Sequence, residues 1–172
     1  MTTLPTIIEE FTGEQVLNKI CDYKNLSFFM SNIPEDVNDT EYISFLRSNN
    51  IRAIVRPNHN SQNYMLSLAK GISDFVINFP DPIPDGFLIK LFLKNLKHFI
   101  AEEEHVSIAI EESVEGAYLL VYVLIELGVN LKEAIEEIKK LDLELEKTQV
   151  DFLRRRSRQL KRMRNVGACT IS

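Results

Sequence analysis

Short apolar runs alternate with segments of helical spacing along most of the chain, and that alternation restricts it to a layered α/β architecture. The runs at residues 26–31, 51–56, 75–79 and 105–110 are short, and several are apolar on both faces, as strands are when helices cover both sides of a sheet. The expected fold is therefore α/β, with a central, mostly parallel sheet of four to five strands flanked by helices. Between the first two runs, Asn38-Asp-Thr-Glu41 has the form of a capping box and opens a helix with Tyr42, Ile43, Phe45 and Leu46 turned inward. After the third, Pro80-Asp-Pro-Ile-Pro84 forces a turn, and Asp85 is placed to cap a helix reaching about Ile100.

The fourth run leads into a loop at 111–115 and then a segment, 116–127, that is hydrophobic almost all round. A helix of that kind is a buried one. Gly128 ends it, and Asn130-Leu-Lys-Glu133 starts another whose Leu131, Ala134, Ile135 and Ile138 keep the i, i+3, i+4, i+7 spacing. From 141 to 164 the pattern stays helical but grows more charged. With 172 residues, 45% of them hydrophobic, the expectation is one globular domain with a real core, stopping near Leu153. Residues 1–22 read as an N-terminal extension, 23–153 as the domain, and 154–172 as a tail.

That tail differs in charge from everything before it. All 25 acidic residues precede Arg154, and seven of the 20 basic ones follow Asp151, which leaves residues 1–153 with a net charge of −12. An acidic body with a basic end argues against nucleic acid as the main partner and for orientation on an anionic bilayer. The basic run Arg154, Arg155, Arg156, Arg158, Lys161, Arg162 and Arg164 precedes Cys169-Thr-Ile-Ser172, which has the form of a C-a-a-X prenylation box with a final Ser favouring farnesyl. One isoprenoid holds a membrane weakly, and each basic side chain near an anionic leaflet adds about 1 kcal/mol, so the two signals belong together. The amino terminus has no basic n-region and no long apolar core, so no signal peptide is expected. The expected location is the cytoplasmic face of the plasma membrane or of endomembranes. Two cysteines, Cys21 and Cys169, suit a reducing compartment.

A strand, a short loop and a buried helix is the layout that cradles phosphate, because N–H groups at the helix start converge on the anion. From Tyr23 on, the chain resembles the phosphatase-of-regenerating-liver (PRL, type IVA) group of protein tyrosine phosphatases. The resemblance is carried by Tyr23-Lys-Asn-Leu-Ser-Phe-Phe-Met-Ser-Asn-Ile-Pro34, Ile54-Val55-Arg56, Val76-Ile-Asn-Phe-Pro80, the Leu124-Ile125-Glu126-Leu127-Gly128 ending and the basic tail with its lipidation box. It implies the cysteine-phosphatase (dual-specificity) fold. It also implies self-association, since members of that group form trimers.

The departures from the family pattern fall on its chemistry. The resemblance implies His-Cys-x5-Arg at the loop, and this chain reads Ile108-Ala109-Ile110-Glu111-Glu112-Ser113-Val114-Glu115. Ala109 stands at the nucleophile and Glu115 at the phosphate-clamping arginine. An alanine methyl cannot attack phosphorus, so the phosphocysteine route is closed. At roughly 5 Å and an effective dielectric near 20, each carboxylate–phosphate pair costs about 3 kcal/mol, and Glu111 and Glu112 lie beside Glu115. Neither remaining cysteine has an arginine six residues on. Asp81 is a vestige of the general acid or simply a turn former, and Asn58 stands where the family's redox-partner cysteine would be.

These readings converge on a membrane-anchored pseudophosphatase acting as a protein-binding or scaffold module for an unidentified protein partner, homo- or hetero-oligomeric by resemblance. The alternatives are an atypical phosphoester hydrolase using Asp81 or His105 to activate water, or a regulator of an active paralogue. No cofactor is expected. His59, His98 and His105 are scattered and make no metal-ligand pair, and three flexible carboxylates are too few oxygens for a hard divalent ion. The acidic loop is a candidate for receiving a basic segment, of a partner or of the chain's own tail. Ser157, after three arginines, is a candidate for phosphorylation that would weaken membrane attachment.

Overall fold

The structure, a computed structural model, describes residues 7–10, 16–32, 40–58, 64–69, 71–78, 87–103 and 105–168. In chain order the elements are β1 (Ile7–Glu10), β2 (Val16–Tyr23), β3 (Leu26–Ser31), α1 (Thr40–Ser48), β4 (Ile51–Asn58), β5 (Tyr64–Ala69), β6 (Ile72–Asn78), α2 (Phe87–Glu102), β7 (Val106–Glu111), α3 (Val114–Leu127), α4 (Leu131–Lys139) and α5 (Lys147–Ala168). The seven strands form one sheet in the order β1-β2-β3-β7-β4-β6-β5. Its centre, β3-β7-β4-β6, is parallel throughout, while β2 and β1 extend one edge and β5 the other in antiparallel pairings.

The four expected strands are the four parallel ones, and the sheet is wider than expected by β1, β2 and β5. The stretch 1–22, read from sequence as an extension, supplies β1 and all of β2 but its last residue, Tyr23. In β2 a register shift between Lys19 and Cys21 breaks the alternation that would have revealed it.

Alternate residues of the parallel strands feed two cores. On one face Phe28, Met30, Val55, Phe75, Ile77, Ile108 and Ile110 meet the buried sides of α2, α3, α4 and α5. On the other, Phe29, Ile54, Ile72 and Ala109 pack against Tyr42, Phe45 and Leu46 of α1. Ala117 to Val121 and Val123 to Ile125 of α3 are all buried, as its sequence requires. Gly128 caps that helix at φ 116°, where its N–H reaches the carbonyls of Leu124 and Ile125, and Asn130 caps α4 through Lys132 N. The capping box at 38–41 and the Asp85 cap lie wholly or partly outside the described residues. No described helix is long and apolar enough to cross a membrane.

Candidate functional site

The link from β7 to α3 lies at the carboxyl end of the parallel strands, where ligands bind in open α/β sheets. Strand β7 runs to Glu111, and only Glu112 and Ser113 precede the helix. Glu112 N donates to Ser31 O at 2.9 Å, which prolongs the β3–β7 ladder into the link. Ser113, extended at φ −153° and ψ 166°, is the N-cap: its Oγ accepts from Gly116 N at 3.0 Å, and its carbonyl accepts from Ala117 N at 2.9 Å. The helix-start donor at Gly116 is thus satisfied from within the chain.

Gly116 is fixed by close approach, since a Cβ there would lie 1.9 Å from Glu111 O. Glu115 sits in the first turn of α3, where a carboxylate is favoured by about 0.3–1 kcal/mol through the helix dipole. Glu112 is exposed and accepts from Asn18 Nδ2 at 3.4 Å. Glu111 and Glu115 are half-buried. Beside Glu111 in register, the Ser31 hydroxyl is fully buried and has no hydrogen-bond partner among the described residues.

Ala109 is not at this link. It pairs with Phe29 and Ile54 in the middle of the sheet, has no exposed surface, and belongs to the core beneath α1. Glu115 belongs to α3, on the opposite face. Of the five positions between them, two continue the strand, two form the link and one opens the helix, so no loop of that length stands between strand and helix. Asp81 and His59 lie outside the described residues, as do the side chain of Asn58 and all of Cys169. Among the described residues no three His, Cys, Asp or Glu side chains are arranged to hold a metal ion.

The basic segment is placed differently from the expected free tail. Helix α5 runs unbroken through Leu153, so the expected domain edge falls inside an element docked on α3. Leu153 is fully buried, and Phe152 stacks on Tyr122 with ring centroids 6.4 Å apart. Arg156 Nε donates to Glu126 Oε1 at 2.6 Å, a contact that holds the guanidinium pKa above its ordinary value. Burial, then the Glu126 charge, pushes the Tyr122 phenol beside this pair up to about 12. Arg164 Nη2 donates to the carbonyls of Ile125 at 3.3 Å and Glu126 at 3.2 Å, at the negative end of α3. Arg154 pairs with Asp151 at 2.6 Å. Arg154, Arg155, Arg158, Lys161, Arg162 and Arg164 are exposed, Arg164 despite its contacts with α3, and Ser157 is half-buried.

A second polar cluster, with no signature in the sequence because its members are up to 83 positions apart, lies at the other end of the sheet. Ser27 Oγ donates to Asp22 Oδ1 at 2.6 Å and lies 3.1 Å from His105 Nε2. Although desolvation works the other way, the hydrogen bonds from Ser27 and Lys19 hold the Asp22 carboxyl below its usual value. Ser27 is buried and donates its hydroxyl hydrogen to a carboxylate, so it bridges Asp22 and His105 within the fold. His105 therefore sits at the far end of β7 from the β7–α3 link. Cys21 nearby has its thiol pushed up to about 12, by burial first and then by Glu137 and Asp22, which keeps it protonated and unreactive. It lines a cleft of about 640 Å³ with Tyr23, Leu124, Val129 and Glu133.

No protein-family model matches the chain, and no curated protein matches it significantly. Solved structures do. A putative protein tyrosine phosphatase from Leishmania major is similar over 81% of this chain and 96% of its own, at 22% identity and a TM-score of 0.59. A variant of human DUSP28 is similar over 84% and 97%, at 12% identity and 0.56. The human tyrosine phosphatase-like serine/threonine/tyrosine-interacting protein is similar over 76% and 92%, at 12% identity and 0.52. At these identities the likeness concerns the backbone, and the conclusion it carries is that this chain has the mixed α/β fold of the protein tyrosine and dual-specificity phosphatases.

Proposed function

We propose that this chain is a pseudophosphatase of the PRL kind, a phosphatase-fold domain that binds a protein partner without hydrolysing phosphoesters and lies against an anionic membrane surface through α5. The observation that supports this most is the β7–α3 link. A phosphate cradle needs a loop of convergent N–H groups, a nucleophile at its start and a cation at its end. Here the strand takes two of the five loop positions, Ser113 occupies the Gly116 N–H, Ala109 is core, and Glu111, Glu112 and Glu115 supply negative charge. The sequence holds no cysteine followed six residues later by arginine. One structural neighbour is itself named as phosphatase-like and interacting, a description in keeping with a binding role for this chain.

The membrane arm rests on the exposed cations of α5 against an acidic body, a charge division suited to the cytoplasmic leaflet. An isoprenoid on Cys169 would be a second signal, and the intact mass of the protein isolated from its own cell tests it. For the catalytic arm, the test is hydrolysis of an aryl phosphate by the purified protein, alongside the variant Ala109→Cys/Glu115→Arg. Neither should turn over, and the introduced thiol should resist a disulfide reagent in the folded state because position 109 faces the α1 core. Turnover by the native chain that survives metal chelation and dilution with purity would overturn the proposal.

A further inference from the structure

We propose that α5 is a preformed anion-binding ridge with a strict division between its sides. Arg154, Arg155, Arg158, Lys161 and Arg162 meet an anionic lipid surface together, while Arg156 and Arg164 hold the ridge on α3 and take no part in that contact. This rests on the membrane reading above and specifies how the surface is met.

The division follows from helical geometry. At 100° per residue, positions 154, 155, 158, 161 and 162 fall within about a third of the helix circumference. Leu153, Arg156, Leu160 and Arg164 lie on the other side, where Leu153 is fully buried and Leu160 packs against the core. Arg156 is committed to Glu126 at 2.6 Å, and Arg164 to the last carbonyls of α3 at 3.2 and 3.3 Å. The outward side carries one carboxylate, Asp151, which pairs with Arg154 and reduces its share.

A docked helix has already lost its conformational freedom on folding, so a surface that meets it pays no ordering cost, unlike one that captures a flexible basic tail. It also fixes the domain's orientation. Charge complementarity selects lipid over nucleic acid as the occupant. Residues 1–153 carry a net charge of −12 and would repel a polyanion that wraps the body, whereas a flat leaflet touches only the ridge. The ridge spans about 12 Å at 1.5 Å per residue and carries no aromatic side chain on which a base could stack.

The experiment compares two variants of the full, unlipidated chain that each remove two positive charges, Arg158→Gln/Lys161→Gln and Arg156→Gln/Arg164→Gln. Partition is measured on phosphatidylcholine vesicles with and without phosphatidylserine. The outer pair should lose about 25-fold in partition, near fivefold per charge. The inner pair should stay within about twofold of the native chain and instead lower the unfolding temperature. Amide exchange is read on the native chain in parallel: residues 153–163 should be protected before lipid is added and gain little afterwards. Equal loss from both pairs, or protection that appears only with lipid, overturns the division of sides and leaves the membrane reading standing. A native chain that ignores phosphatidylserine altogether sinks the membrane reading itself. Binding to a single-stranded oligonucleotide without uptake by vesicles overturns the choice of lipid.

Discussion

At Gly116 two opposing effects can be compared directly. Replacing an interior helical glycine by alanine ordinarily stabilises by about 1 kcal/mol. Here the new Cβ would stand 1.9 Å from Glu111 O, a backbone atom that cannot rotate away, so the end of β7 or the start of α3 must move. Overpacking of that kind costs about 1–3 kcal/mol or more, which outweighs the propensity gain. Gly116→Ala should therefore lower stability in a urea titration. It should do so with loss of amide protection at Glu112, whose N–H is bonded to Ser31 O. A rise in stability would mean that strand and helix are not joined as tightly as this link requires. The sequence did contain the pieces of this site, the Glu-rich stretch and the glycine opening the apolar segment. The short link was not legible, because spacing alone does not say where a strand stops: Glu111, one residue past the expected end, continues β7 only because Ser31 of β3 offers a matching backbone partner.

Between elements, β4 and β6 are joined by more than their ladder. Arg56 and Asp74 form a bidentate ion pair on the α1 side of the sheet, with Asp74 fully buried and Arg56 mostly so. Burial raises the Asp74 carboxyl above its usual value, with the Arg56 hydrogen bond and charge pulling the other way. A raised carboxyl takes stability from the fold as pH climbs from the unfolded value towards the folded one, because the unfolded chain ionises first. Arg56→Met removes the opposing pull, so the carboxyl should rise further. The variant should lose about 3–5 kcal/mol at neutral pH and regain part of it on mild acidification, when Asp74 is protonated. Arg56→Met/Asp74→Leu should recover most of the loss and be flat over the same pH range. If denaturation midpoints show the single variant's loss unchanged by acid, the charge on Asp74 is not its cause. At this scale the parallel strands and buried helix were legible because each is apolar enough to identify itself. The antiparallel edges were not, since β1 has four residues, β2 is bulged, and neither is apolar on both faces.

At the scale of the whole molecule, the last described element, α5, is a helix that its composition disguises. A run of seven cations in eleven residues reads as solvated, yet Gln149, Phe152, Leu153, Arg156 and Leu160 recur on one side of α5 and meet α3 and the neighbouring core. The apolar members of that side are only three, so charge hides the pattern that packing depends on. Truncation after Glu146 separates the two descriptions. Were α5 a tail, its removal would leave the unfolding temperature where it was. As a packed element it should matter a great deal: burial of Leu153 alone contributes about 1.5–3 kcal/mol. The stacking of Phe152 on Tyr122, the Arg156–Glu126 pair and the Arg164 contact at the end of α3 add to it. Domains of this size are stable by only about 5–15 kcal/mol, so the truncated chain should be marginal or aggregate through the uncovered side of α3. Calorimetry of a truncated chain that melted at the native temperature would show that α5 is not part of the core. It would also remove the scaffold on which the outward ridge of cations depends.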